Sequence, residues 1–174
     1  MRTASITVYS DSIEPDRAYR DIRHFEAYPD LVDEVSSVLV RPGADGASSV
    51  SDWEVYFRNG PLRWTEIDYF REEQRNIVFE QESGDFHVFR GSWQVRPSGT
   101  GSAVTFEATF DFGIPSLAGV LEPIAEKVLK EGIALVLIRL LGNAEVVGDP
   151  AVAAAVAKKL AGVGSGALAA GTGH

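Results

Sequence analysis

Six alternating runs at hairpin spacing, between residues 34 and 112, constrain this chain more than any other feature. They span 34–41, 48–58, 61–70, 75–83, 86–96 and 104–112. The last is the cleanest, with Val104, Phe106, Ala108, Phe110 and Phe112 on one face and Thr105, Glu107, Thr109 and Asp111 on the other. Turn residues punctuate the runs: Gly43-Ala44-Asp45-Gly46, Asn59-Gly60-Pro61, Gly84-Asp85 and Pro97-Ser98-Gly99. Connections this short join antiparallel neighbours, because a parallel crossover needs a dozen or more residues. One face of such a sheet is apolar and requires a covering layer.

The flanks supply that layer. A seventh run at 3–10, with Ile6 and Val8 on one face, precedes two short helices. The first opens at Pro15 and ends near Phe25; the second is Tyr28-Pro29-Asp30-Leu31. From Ser116, a fair N-cap, to about Val147 the period becomes helical, with Leu117, Leu121, Ile124, Val128, Leu135 and Ile138 along one stripe. A long helix laid across the concave face of a curved antiparallel sheet gives an α+β layer fold. A tail then departs in composition: Asp149 as N-cap, Pro150, an exposed Val152/Val156/Leu160 stripe, Lys158 and Lys159 in the last turn, Gly162 as the stop, and a flexible Gly/Ala-rich end. The expected organisation is one domain over 1–148 and a tail over 149–174.

Composition excludes several function classes. With 174 residues and a net charge of -9, the chain has no basic field to attract nucleic acid or anionic membranes. It has no cysteine and only three histidines, His24, His87 and His174, so thiol catalysis is excluded and no metal site is expected. The apolar run at 132–142 contains Arg139 and falls short of the roughly 20 residues a bilayer demands, so no stable membrane insertion is expected. The first residues lack a signal-peptide core, and a cytoplasmic protein is expected.

The stretch PLRWTEIDYF, 61–70, carries the chemistry. As a strand it puts Leu62, Trp64, Glu66, Asp68 and Phe70 on one face, and two carboxylates among aromatic rings have their pKa values raised by burial and by each other. Their Cβ atoms lie about 6.5–7 Å apart, so one substrate group can bridge them. Glu66 and Asp68 are thus candidate acid/base residues near neutral pH. Two alternatives stay open: the carboxylates are ion-paired, for instance with Arg90 or Arg139, or the register is shifted by one and they face solvent. His87 is a third acid/base candidate. Tyr28, Trp53, Trp64, Phe79, Phe89 and Trp93 are candidate ligand-binding residues, and Arg139 with Asn143, four apart on a helix face, is a candidate polar pair for a ligand.

The order of elements, with Phe25-x-x-Tyr28-Pro29-x-Leu31, Trp64-Thr65-Glu66, Gly91-x-Trp93, the 104–112 run and Leu121-Glu122-Pro123, resembles the START/Bet v 1-like helix-grip superfamily. Within it the chain looks most like the polyketide cyclase/dehydrase and coenzyme Q-binding branch, over about residues 3–147. The resemblance implies a helix-grip fold, a curved sheet wrapped around the long helix and enclosing an apolar cavity for a hydrophobic or aromatic small molecule, without metal or redox cofactor. In tetracenomycin-type aromatase/cyclases the matching strand points a Ser and an Arg into the cavity; here Glu66 and Asp68 stand at those positions. The resemblance thus implies a cofactor-free cyclase or dehydratase acting on a polyketide-like intermediate, free or tethered to a carrier protein. The alternative it implies is a carrier for an isoprenoid quinone or another lipid. The tail helix suggests a third class, an interaction protein, with a homodimer as one outcome.

Overall fold

The structure, a computed structural model, describes residues 1–45, 47–57 and 60–172, with side chains as far as residue 162. Gly46 and Asn59 of two expected turns, and His174, lie outside the described residues. The chain opens with β1 (Arg2–Ser10), α1 (Pro15–Ile22), a 3-10 turn (Phe25–Ala27) and α2 (Tyr28–Leu31). The meander follows: β2 (Val35–Pro42), β3 (Ser48–Phe57), β4 (Gly60–Arg71), β5 (Asn76–Gly84), β6 (Val88–Ser98) and β7 (Gly101–Asp111). The long helix α3 (Pro115–Leu141), a short β8 (Ala144–Val147) and α4 (Pro150–Thr172) complete it.

All eight strands form one sheet in the order β2-β3-β4-β5-β6-β7-β1-β8, antiparallel at every pair. It curves around α3, as the helix-grip fold requires. Two bulges assist: between Val35 and Ser37 on the β2 side, and between Thr65 and Glu66 where β4 meets β5. The inward residues of β1, β6 and β7, with Ala125, Leu129, Leu135, Val136 and Leu141 of α3, make the core. Gly91 is a fixed point of this packing: a Cβ there would sit 2.0 Å from the Glu107 carbonyl oxygen and 2.7 Å from the Phe79 ring. The Gly91-x-Trp93 motif therefore lets Phe79 lie across the strand.

Four local expectations are corrected. First, α3 begins at Pro115 with Ile114 at the N-cap, and no side chain caps it, so Ser116 is one residue inside. Second, α3 stops at Leu141 instead of running to Val147, because Gly142 (φ 71°) and Asn143 (φ 47°) take left-handed conformations. The chain turns and adds β8 beside β1, pairing Val146 with Val8. Third, the apolar stripe of α3 is covered only in part: Leu117 is 44 % and Ile124 37 % exposed. Fourth, the tail stripe is a packing face. Val152 and Val156 are buried where α4 meets α3 and β8, and Leu160 stays half-exposed.

Asp149 does cap α4, accepting the Val152 amide at 3.1 Å. Gly162 does not take a left-handed φ, so it does not end the helix, which continues to Thr172. Lys159 of α4 lies 3.4 Å from Glu34 and 3.7 Å from Glu131, tying α4 to the start of β2 and to α3.

Candidate functional site

The pleat of β3 and β4 builds the site. Cross-strand partners Trp53 and Trp64 stack with centroids 5.9 Å apart, Ser51 pairs with Glu66, and Ser49 pairs with Asp68. Since side chains alternate, all six point to the concave face, and the register is the inward one: Glu66 is 4 % and Asp68 0 % exposed. On the next strands Phe79 opposes Asp68, and Phe89 and Trp93 continue the same face.

A cavity of about 70 Å³ lies between sheet and helix on this face. Tyr28, Trp53, Trp64, Phe79, Phe89 and Trp93 all belong to its wall, together with Val128, Leu129, Ile133 and Val136 of α3. Glu66 and Glu34 are the wall's two carboxylates, and Glu34 is met by Lys159. Beside the cavity, and sharing Phe57 with it, lies a groove of about 350 Å³ between the β3–β4 hairpin and the first turns of α3, lined by Leu62, Phe112, Leu121 and Ile124. Ligand pockets generally measure about 300–1,000 Å³. The inner cavity alone accommodates only the end of a larger molecule.

A hydrogen-bond chain converges on the two carboxyls. The Trp64 indole donates to Glu66 Oε1 at 2.7 Å, Ser51 donates to Asp68 Oδ2 at 2.5 Å, and the Trp53 indole donates to the Ser51 hydroxyl at 2.8 Å. Asp68 Oδ1 and the hydroxyl of Ser49, its cross-strand neighbour, have no partner. Burial pushes the Glu66 carboxyl well above its ordinary value, reinforced by hydrogen bonding to Asp68 and by that residue's charge, against which the Trp64 hydrogen bond pulls down. Burial also raises Asp68, while Glu66 and Ser51 donating to it act the other way. Burial thus opposes ionisation of both carboxyls, and of Glu66 the more strongly. Neither carboxyl is ion-paired among the described residues, so the paired alternative fails: Arg90 is exposed, and Arg139 donates to the Leu31 carbonyl at the surface.

The geometry separates the two carboxylates. Glu66 is on the cavity wall, whereas Asp68 lies behind it, so no substrate group bridges both. His87 is exposed just before β6, its amide held by the Asp111 carbonyl and its ring against Gly113, and it takes no part in the cavity. Alternation does not extend to it because the strand starts at Val88. Arg139 and Asn143 also stay outside: α3 turns Arg139 outward, and Asn143 sits past the helix end, 3.4 Å from Ser12. Tyr28 lines the cavity with its ring but donates its hydroxyl to the Ile22 carbonyl at 2.7 Å. Its pKa is raised well above 10.0 by burial and by the two carboxyl charges. Ser49 and Ser51 escaped the sequence reading. Their signal was present, small polar residues at two consecutive inward positions directly opposite the two carboxylates.

No cluster of three or more potential metal-ligating side chains exists among the described residues. No described helix is long and apolar enough to cross a membrane. Comparison with known proteins agrees with the geometry. The model of the family described as polyketide cyclase / dehydrase and lipid transport matches residues 12–134. No curated protein sequence matches the chain. Among solved structures, a protein from Thermus thermophilus is similar at 26 % identity and TM-score 0.70, covering 80 % of this chain and 94 % of its own. The Zhui aromatase/cyclase from a Streptomyces species is similar in fold at 15 % identity and TM-score 0.64, covering 81 % and 93 %. A START superfamily protein from Mycobacterium smegmatis, at 18 % identity and TM-score 0.69, covers 80 % and 96 %.

Proposed function

Because the chain belongs to the polyketide cyclase / dehydrase and lipid transport family, we propose that it binds a polyketide-like molecule in the cavity and promotes its cyclisation or dehydration, with Glu66 as proton shuttle. One observation carries the reading: a carboxyl with a strongly raised pKa on the wall of an otherwise apolar cavity. A carboxyl whose pKa is raised by burial is suited to giving and taking protons in general acid/base catalysis.

The steps follow from the arrangement. In its ionised form Glu66 removes a proton from the carbon between two carbonyls. That carbon attacks a second carbonyl carbon, the new C–C bond forms, and Glu66 returns the proton to the oxygen, leaving a hydroxyl. For dehydration Glu66 takes another α-proton and delivers it to the departing hydroxyl, releasing water. Asp68 and Ser51 are positioning residues, hydrogen-bonded to each other behind Glu66. The Ser/Arg pattern of the tetracenomycin-type enzymes is replaced here by Glu66 and Asp68, so the chemistry is that of carboxyls.

The test uses a short β-polyketone thioester and follows product by mass-resolved chromatography. Glu66→Gln is expected to lower turnover by a factor of about 10²–10⁴, with the apolar product still able to bind. Asp68→Asn is expected to move the pH profile while retaining part of the rate. Unchanged turnover in Glu66→Gln overturns the proposal.

A second reading, a carrier for an isoprenoid quinone or lipid, is favoured by the apolar wall, on which a single unpaired carboxyl stands. Native mass spectrometry of freshly purified protein would then show a bound apolar molecule that leaves chemically unchanged.

A further inference from the structure

We infer that the cavity recognises a cation: its ligand carries a protonated amine on an apolar or aromatic body, and the amine seats against Glu66. The inference rests on the reading of the cavity as the ligand site, and not on turnover.

Donor and acceptor counting leads there. At the polar end of the cavity the Trp64 and Trp53 indoles, the Ser51 hydroxyl and the Tyr28 hydroxyl are already donating, to Glu66, Ser51, Asp68 and the Ile22 carbonyl respectively. The Ser49 hydroxyl, beside Asp68 and off the cavity wall, is a donor without a partner; on the wall itself, what is to spare is the acceptor capacity of Glu66. The Trp64 indole is Glu66's one described donor outside the carboxyl pair, and Asp68 Oδ1, in a fully buried residue, has none. A ligand N–H group supplies the further donor that Glu66 lacks.

Charge points the same way. Glu66 is a buried carboxyl on the cavity wall with no cation beside it among the described residues, and a carboxylate buried without a partner is strongly unfavourable, so a ligand cation is what would stabilise its ionised form. The contrast lies on the same wall, where Glu34 has Lys159 at 3.4 Å and Glu66 has no counterpart. The walls suit the missing partner. Trp53, Trp64, Trp93, Tyr28, Phe79 and Phe89 line the same cavity as Glu66, and aromatic rings are the surfaces that hold an organic cation. The cavity's size fits the ammonium end of a molecule whose body extends into the groove lined by Leu62, Phe112 and Ile124.

Three probes of similar size decide the matter: 2-phenylethylammonium, 2-phenylethanol and 3-phenylpropanoate, titrated into the full-length protein at pH 7.5 with tryptophan fluorescence and calorimetry as readouts. The ammonium is expected to bind about tenfold or more tighter than the alcohol, and the anion weakest. Glu66→Gln is expected to abolish that preference while leaving alcohol binding in place, which also shows the variant to be folded. Asp68→Asn is expected to reduce it. Alcohol binding without preference for the ammonium overturns the inference and leaves the cavity as a ligand site. Failure of all three probes at millimolar concentration overturns both. A preference that survives in both variants places the cation elsewhere and overturns the inference as well.

Discussion

At the scale of the residue, Glu66 bears on stability. Its folded pKa lies well above the ordinary 4.5, so its contribution is fully present below the unfolded value and is lost as pH rises through the folded one. The thermal midpoint of the wild type is therefore expected to fall as pH climbs from the ordinary glutamate range toward and past the raised pKa of Glu66. Glu66→Gln should flatten that fall and melt higher than wild type at the alkaline end; a parallel decline in both proteins contradicts the assignment. Ser51→Ala removes the one side-chain donor of Asp68 outside the carboxyl pair and should cost about 1–3 kcal/mol in denaturant unfolding, the penalty of leaving a buried acceptor unmet. The inward carboxylates were legible from Leu62, Trp64 and Phe70, whose shared face fixes the register. The depth difference between Glu66 and Asp68 was not, because two residues on one strand face have the same parity whichever wall the helix and the neighbouring rings make of them.

Among the elements, β6 and α4 give the sharpest expectations. Gly91→Ala forces a Cβ into the Glu107 backbone and the Phe79 ring, and overpacking of this kind should destabilise by about 1–3 kcal/mol and displace a cavity wall residue. Chemical denaturation measures the first effect and probe affinity the second. Val156→Ala should cost about 1–2 kcal/mol, since two methyl groups leave a fully buried contact between α4 and the domain; an unchanged unfolding midpoint would mean that α4 does not dock in solution. The meander was readable run by run, because alternation and turn residues act within a few positions. β8 was not: Ala144-Glu145-Val146-Val147 is too short to show a period of its own, and it becomes a strand only because Gly142 and Asn143 turn it back beside β1. The tail stripe was seen correctly as apolar and wrongly as exposed, since the surface that covers it comes from α3 and β8.

For the molecule as a whole, the small inner cavity and the larger groove meet at Phe57. Replacing that ring by Ala should join them, raising affinity for bulky apolar probes and speeding their entry in stopped-flow fluorescence; slower or weaker binding would show that Phe57 is instead part of the ligand's wall. Hydrophobic period and turn chemistry are properties of neighbouring residues, so the layers, the antiparallel order and the inward face of β4 were already dictated along the chain. Which polar groups share the cavity was settled in three dimensions. His87, Arg139 and Asn143 were drawn outward by a strand start, a helix face and a helix end, while Ser49 and Ser51 were brought under the carboxylates by a cross-strand register that joins positions 15 or more residues apart. Proximity of that kind depends on how the sheet closes around α3, and no local pattern encodes it.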